Sequence, residues 1–370
     1  PTPELINSEL TWEKPQKLVL GTDIYLFDRR LNFTFDWYQQ VTKDMVGPAP
    51  PKPDVLGAEM PRENNTELTT KGFDMSSFWR DKIGEVGYNI SLSLNRYSAE
   101  VTEYYNPDGT IDGINTGEVY YKGQKWGEIW GLTTDKILSS PEDVAAYNEL
   151  NYDKVTTQYN MVKEGTIAYK DINGDGKVDF GEWKLDDHGD WSVIGNTVPD
   201  LFYNFSVGAD WKGFDIRLFI DGQIGGDWDP GIESTGYWDN ESTTHFFASG
   251  GFDMMLLTND NYENYWHEDR KNAYYFAPFD GDHGGDWGQI NARSQTRYLQ
   301  DLTYLRIRNI QLGYYLPGVW TNKIKLSQCR VYASIENLHT FQRLRVGNPA
   351  SPGLNYPLQR SISIGVNIQF

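Results

Sequence analysis

From residue 361 to the end of the chain, every even position is apolar: Ile362, Ile364, Val366, Ile368 and Phe370. Every odd position, Ser361, Ser363, Gly365, Asn367 and Gln369, is small or polar. Side chains of an extended strand point alternately to two faces, so this period of two predicts a strand with one apolar face. The pattern recurs. Leu201, Tyr203, Phe205, Val207, Ala209 and Trp211 alternate with Asn204, Ser206, Gly208 and Asp210. After Lys212 and Gly213, the apolar Phe214, Ile216, Leu218 and Ile220 alternate with Asp215, Arg217 and Asp221. Similar faces occur at 31–37, 88–94 and 329–335. Within 305–316 the phase slips at Arg308 and Asn309, as a β-bulge would make it do.

About nine strands follow from this reading, near 15–27, 31–44, 69–80, 87–104, 199–211, 214–227, 297–316, 329–341 and 358–370. Their connections alternate in length. Short ones fall near 28–30, 81–86, 212–213 and 317–328, and long ones at 45–68, 105–198, 228–296 and 342–357. Alternating strands alone fit a soluble sandwich or barrel as well. Strict alternation of short and long connections is the signature of a transmembrane antiparallel β-barrel, whose turns are short on the periplasmic side and long outside. The expected fold class is therefore all-β. The last strand runs inward, and its terminal Phe370 is the expected barrel-assembly signal.

Composition narrows the function classes. The chain has 33 basic and 52 acidic side chains, a net charge of −19, which argues against a nucleic-acid partner. Aromatic residues make up 15 %, with 13 Trp and 24 Tyr, rings that suit membrane interfaces and sugar-stacking surfaces alike. Cys329 is the single cysteine, so no internal disulfide forms. No apolar run is long enough for a transmembrane helix, which says nothing about strands that cross a bilayer.

Several segments, in order, carry a resemblance to a known family. They are LTWEKPQKLVLGTDIYLFDRRLNFTFDWYQQVTKDMV (10–46), ENNTELTTKGFDMSSFWRDKIG (63–84), YYKGQKWGEIWGLTTDKIL (120–138), YKDINGDGKVD (169–179), VIGNTVPDLFYNFSVGADWKGFDIRLFIDG (193–222), TRYLQDLTYLRIRNIQLGYYLP (296–317), RVYASIENLHTF (330–341) and the terminal ISIGVNIQF. The chain resembles the C-terminal part of SusC/RagA-type TonB-dependent outer-membrane transporters of Bacteroidetes. The resemblance implies a barrel of about 22 strands with a plugged lumen, of which this chain supplies the last nine or so. It also implies a SusD-like surface lipoprotein as lid, energy from the TonB complex, outer-membrane lipid around the wall, and a dimer of transporter–lipoprotein pairs. Nine strands cannot close so wide a barrel, so the plug and first strands are expected on a remaining N-terminal part.

Three groups of residues are candidates for chemistry. Asp171, Asn173, Asp175, Lys177, Asp179 and Glu182 match the oxygen spacing of a calcium loop, with Gly176 at the sharp turn. The alternative is an Asx- and Gly-rich turn without metal. Trp228, Trp238, Trp266, Tyr274, Tyr275 and Trp287 in the aromatic-rich connection 228–296 are candidate stacking platforms for a glycan, or packing residues of a folded loop. Asp210, Asp215, Arg217 and Asp221, with Arg306 and Arg308, are expected to face the lumen. No histidine pair has zinc-ligand spacing, and no nucleophile or phosphate-loop motif occurs, so no covalent catalysis is expected. The reading is active import of a nutrient, an oligosaccharide first and an oligopeptide second. The rival of another class is a secreted soluble β-protein that binds or hydrolyses carbohydrate.

Overall fold

The computed structural model describes residues 7–50, 60–150, 162–229, 264–277, 291, 293–345, 347–352 and 358–370. In chain order the first long strands are β1 (Lys14–Leu26), β2 (Leu31–Gly47), β3 (Glu63–Ile83) and β4 (Val86–Glu103). The connection after them folds into β5 (Glu128–Leu132), β6 (Thr134–Ile137), α1 (Pro141–Glu149), β7 (Ile167–Tyr169) and β8 (Trp191–Asn196). Next come β9 (Leu201–Trp211), β10 (Phe214–Ile224) and the short β11 (Asp227–Trp228) and β12 (Gln300–Asp301). Then follow β13 (Tyr304–Tyr315), α2 (Gly318–Thr321), β14 (Gln328–Gln342) and β15 (Ser361–Gln369).

Nine of these strands form one sheet in the order β1-β2-β3-β4-β9-β10-β13-β14-β15, each antiparallel to its neighbours. The long strands therefore lie side by side in the order of the chain. All short connections meet at one end of the sheet and all long ones at the other. At the short end the backbone uses left-handed residues: Lys212 and Gly213 have φ of 47° and 89°, the two-residue hairpin whose twist suits its flanking strands.

Pairing register fixes the two faces. Ile216 lies opposite Ala209 and Leu312, Ala333 opposite Leu312 and Ile364, and these apolar positions form a continuous stripe. Many of them are exposed, including Ile216, Leu312, Ile362, Ile364, Val366 and Ile368. The opposite face carries Asp210, Asp215, Arg217 and Asp221: Asp215 lies opposite Asp210 and Gly313, Arg217 opposite Gly208 and Gln311, and Asp221 opposite Arg306. The bulge expected near Arg308 is present, since Ile307 and Asn309 pair with consecutive residues of β10 and Arg308 is the extra residue.

Several strand limits differ from the sequence reading. β3 runs from Glu63 to Ile83 instead of 69–80, so it stands well beyond the expected span. β2 continues past 44 to Gly47 through a register shift beside Asp44, whose φ is 56°. β10 stops at Ile224 because Gly225 and Gly226 turn away with φ of 73° and 81°. β13 begins at Tyr304, whereas the alternation suggested 297. The apolar Tyr298 and Leu302 that continued the pattern are buried, with Tyr298 in the core of the long connections. The terminal strand begins at Ser361 instead of 358.

The main hydrophobic core is not in the sheet. It lies in the long connections, around Ile111, Trp130, Leu132, Ile137, Leu138, Tyr169, Phe180, Trp191, Tyr275 and Tyr298. The apolar side of the sheet is largely exposed, so burial is concentrated in the loops. α1 is a local example of their order. Ser140 caps it by accepting from the Asp143 amide at 3.1 Å, Pro141 opens its first turn, and Glu142 and Asp143 suit the positive helix start. The two longest connections join at Leu132, which bridges to Gln295, and where the Ala277 amide donates to the Gly165 carbonyl at 3.0 Å.

Candidate functional site

Two ion-pair groups organise the polar face. Arg330 on β14 donates from Nε and Nη2 to Asp215 on β10 at 2.8 and 2.5 Å, and Nη2 also reaches Gln311 Oε1 at 3.0 Å. β13 lies between these strands, and the bridge passes over Gly313. A Cβ there would fall within 2.6 Å of the Arg330 guanidinium. Arg306 donates to Asp221 from Nε and Nη2 at 3.1 and 2.6 Å, Tyr304 donates its hydroxyl at 3.3 Å, and Arg308 from the bulge stands 3.6 Å away. Bidentate pairs of this kind hold planar geometry. Arg306–Asp221 joins register partners on the adjacent β13 and β10, whereas Arg330–Asp215 links β14 and β10, which are not hydrogen-bonded to each other. Arg330 was not singled out from the sequence. Its signal was there, since it occupies the polar phase between Cys329 and Val331. Asp210 and Arg217 share the face but form no ion pair among the described residues.

Trp238 and Trp287 lie outside the described residues. Trp266 and Tyr275 are 6 % and 1 % exposed and belong to the loop core, and Trp228 packs against that core. Tyr274 contacts Tyr275 edge-on at 4.8 Å, while the Arg345 guanidinium sits 4.1 Å from its ring centre. Trp266 and Tyr275 are thus core rings, whereas Trp228 and Tyr274 are partly buried and pack against that core.

The segment 171–182 shows the turns its pattern asks for but not the full ligand shell. Asp171 accepts from the amides of Gly174 and Gly176 at 2.6 and 2.8 Å, Asn173 from Asp175 at 3.0 Å, and Asp175 from Lys177 at 2.9 Å. Gly174 and Gly176 take φ of 78° and 82°. Asp179 accepts from Gly181 at 2.8 Å, and the Glu182 amide donates to the Asp187 carbonyl at 3.0 Å. Among the described residues no three His, Cys, Asp or Glu side chains gather to hold a metal ion. Each engaged oxygen accepts a single amide and keeps a lone pair, so these turns suit a calcium loop and an Asx- and Gly-rich turn without metal alike. The segment is also tied by Asp190, which the sequence reading did not single out. Its two oxygens accept from Ile172 and Asp179 at 2.6 and 3.0 Å, and burial pushes its carboxyl above the usual carboxylate range.

The architecture is that of a partial antiparallel barrel wall capped by folded loops. No family model matches the chain. Two curated proteins of Formosa agariphila are similar to it. TonB-dependent receptor P3 is 25 % identical over 395 residues, spanning 99 % of this chain and 35 % of the relative. TonB-dependent receptor P39 is 25 % identical over 422 residues, spanning 99 % and 36 %. Among solved structures, the RagAB peptide importer in its "open-open" state aligns with a TM-score of 0.68 at 20 % identity, covering 99 % of this chain and 36 % of that one. The RagAB peptide transporter aligns with a TM-score of 0.66 at 20 % identity, with 98 % and 36 % covered. The chain's homologues are thus TonB-dependent receptors of the SusC/RagA kind, along nearly its whole length, and such proteins are not enzymes. The chain spans about a third of the length of the curated relatives it matches.

Proposed function

We propose that this chain forms part of the barrel wall and the folded outer loops of a TonB-dependent transporter that imports a nutrient across the outer membrane. The observation that carries the reading is the two-faced nine-stranded antiparallel sheet with its short and long connections at opposite ends. An apolar face of exposed Ile, Leu and Val suits hydrocarbon, and an ion-paired face suits a wet lumen. The remaining part of the receptor completes the barrel and holds the plug on which TonB acts. A SusD-like surface lipoprotein covers the loop end, and the transporter–lipoprotein pairs form a dimer.

For the substrate, burial of Trp266 and Tyr275 removes much of the stacking argument for an oligosaccharide. Likeness to an importer described as handling peptides supports an oligopeptide, which becomes the first class to test. Calorimetric binding of the detergent-purified whole receptor, with its lipoprotein, to peptide and glycan panels separates the two. Recovery of the full protein in the soluble fraction after cell breakage would defeat the membrane reading and favour a secreted β-protein.

A further inference from the structure

The connection between β13 and β14 is unlike the other short turns. It contains α2 and a following 3-10 turn at Asn322–Ile324. Its backbone is held by hydrogen bonds: Trp320 donates to Pro317 at 2.8 Å, Leu326 to Thr321 at 3.0 Å, and Leu316 to Cys329 at 2.9 Å. Thr321 and Leu326 are buried at 1 % and 9 % exposure and fix the turn against the sheet. The same turn holds Val319, Trp320 and Ile324 outward, at 71 %, 59 % and 65 % exposure. A rigid turn that presents three large apolar side chains needs an apolar environment for them.

Charge identifies that environment. Residues 316–328 include Lys323 and Lys325 and no acid, in a chain whose net charge is −19. On the neighbouring short turns Arg30 pairs with Asp81 and Lys212 with Glu85. Among the described residues Lys323 and Lys325 form no ion pair. The patch is also continuous with the apolar face of β13 to β15, where Leu312, Val331 and Ile368 are exposed. We propose that the 317–326 turn is an interfacial anchor: Val319, Trp320 and Ile324 sit in the headgroup–acyl boundary at the short-turn end of the barrel, and Lys323 and Lys325 meet phospholipid phosphates. This rests on the barrel-wall reading. Trp suits such a boundary because its ring is apolar and its N–H is polar, and Lys reaches phosphate while its stem stays in the apolar layer.

The test places an environment-sensitive fluorophore on the full receptor in phosphatidylcholine–phosphatidylglycerol vesicles. One variant carries Trp320→Cys and another Val319→Cys, both with Cys329→Ala, and a reference carries Ile364→Cys on β15. Blue-shifted emission, quenched by brominated lipid, is expected at all three positions. A quenched probe at 364 with water-like emission at both 319 and 320 overturns the anchor and leaves the barrel standing. Water-like emission at all three overturns the barrel reading itself. Adding Lys323→Gln with Lys325→Gln is expected to move the probe toward water more in anionic than in zwitterionic vesicles. An equal response in both overturns the phosphate contact.

Discussion

Arg330 reaches Asp215 across an intervening strand, and it does so over the one position of that strand, Gly313, that has no side chain in the way. The pair ties β10 to β14 although neither is hydrogen-bonded to the other. Gly313→Ala should therefore displace the guanidinium and destabilise the wall by roughly 1–3 kcal/mol, the usual range for overpacking. Unfolding of the reconstituted receptor in denaturant, compared with Gly208→Ala as a glycine control beside Asn89, measures it. Equal effects of the two would show that the bridge is not what Gly313 protects.

The apolar stripe should be sensitive to charge and its opposite face should not. Ile364→Arg places a cation on the exposed apolar side of β15, which at mid-bilayer depth costs about 2–4 kcal/mol. Ser363→Arg, one residue away, points to the other face and should fold nearly normally. Heat-modifiable electrophoretic mobility after refolding into lipid reads both. Similar losses for the two variants would assign the faces wrongly.

The loop core should unfold without the wall. Tyr275 is 1 % exposed within it, and Tyr275→Ala should remove about 3–5 kcal/mol from the loops, by analogy with other large aromatic truncations. Limited proteolysis is expected to cut the long connections early while the β-sheet signal in circular dichroism persists. Loss of both together would make loops and wall a single cooperative unit.

Alkaline pH should loosen the same core. Burial raises the phenols of Tyr121, Tyr169 and Tyr298 above the ordinary value of 10.0, and the Glu128 carboxylate, which accepts from Tyr121 at 2.5 Å, adds to the shift for Tyr121. A phenol whose folded value lies above its unfolded value stabilises fully below the unfolded value, and that stability is lost as pH rises from 10.0 toward the folded value. Tyrosinate absorbance should therefore rise in two phases, exposed phenols first and the buried ones only with loop unfolding. A single phase at the ordinary value contradicts the burial.

The 171–182 turns allow calcium to be tested against a metal-free Asx- and Gly-rich turn. For the metal-free turn, in which backbone amides alone engage the Asp171, Asn173 and Asp175 oxygens, a chelator should leave the protease resistance of the loops unchanged. Protection that depends on added calcium, and that Glu182→Gln abolishes, would mean that Glu182 swings in to complete the shell.

The nine strands were legible because each must show two different faces, and a period of two survives in any strand long enough to cross a bilayer. The bulge at Arg308 was legible for the same reason, since a phase slip has few other causes. Pairing between Arg330 and Asp215 was not, because 115 residues separate them and no local pattern links them. The folded loops were hidden as well. Their rings serve a core assembled from two distant connections, so Trp266 and Tyr275 read equally as surface platforms. Tyr298 shows the reverse error, in which an apolar residue of one core extended the apparent strand of another.

Placing the buried core in the connections while the wall faces lipid and lumen gives the two parts separate solvents, and therefore separate tolerances to change. Loop residues answer to one another and to what lands on them, whereas wall residues answer to the bilayer. On the transporter reading proposed above, the outer loops can change with the cargo while the wall keeps its hold in the membrane.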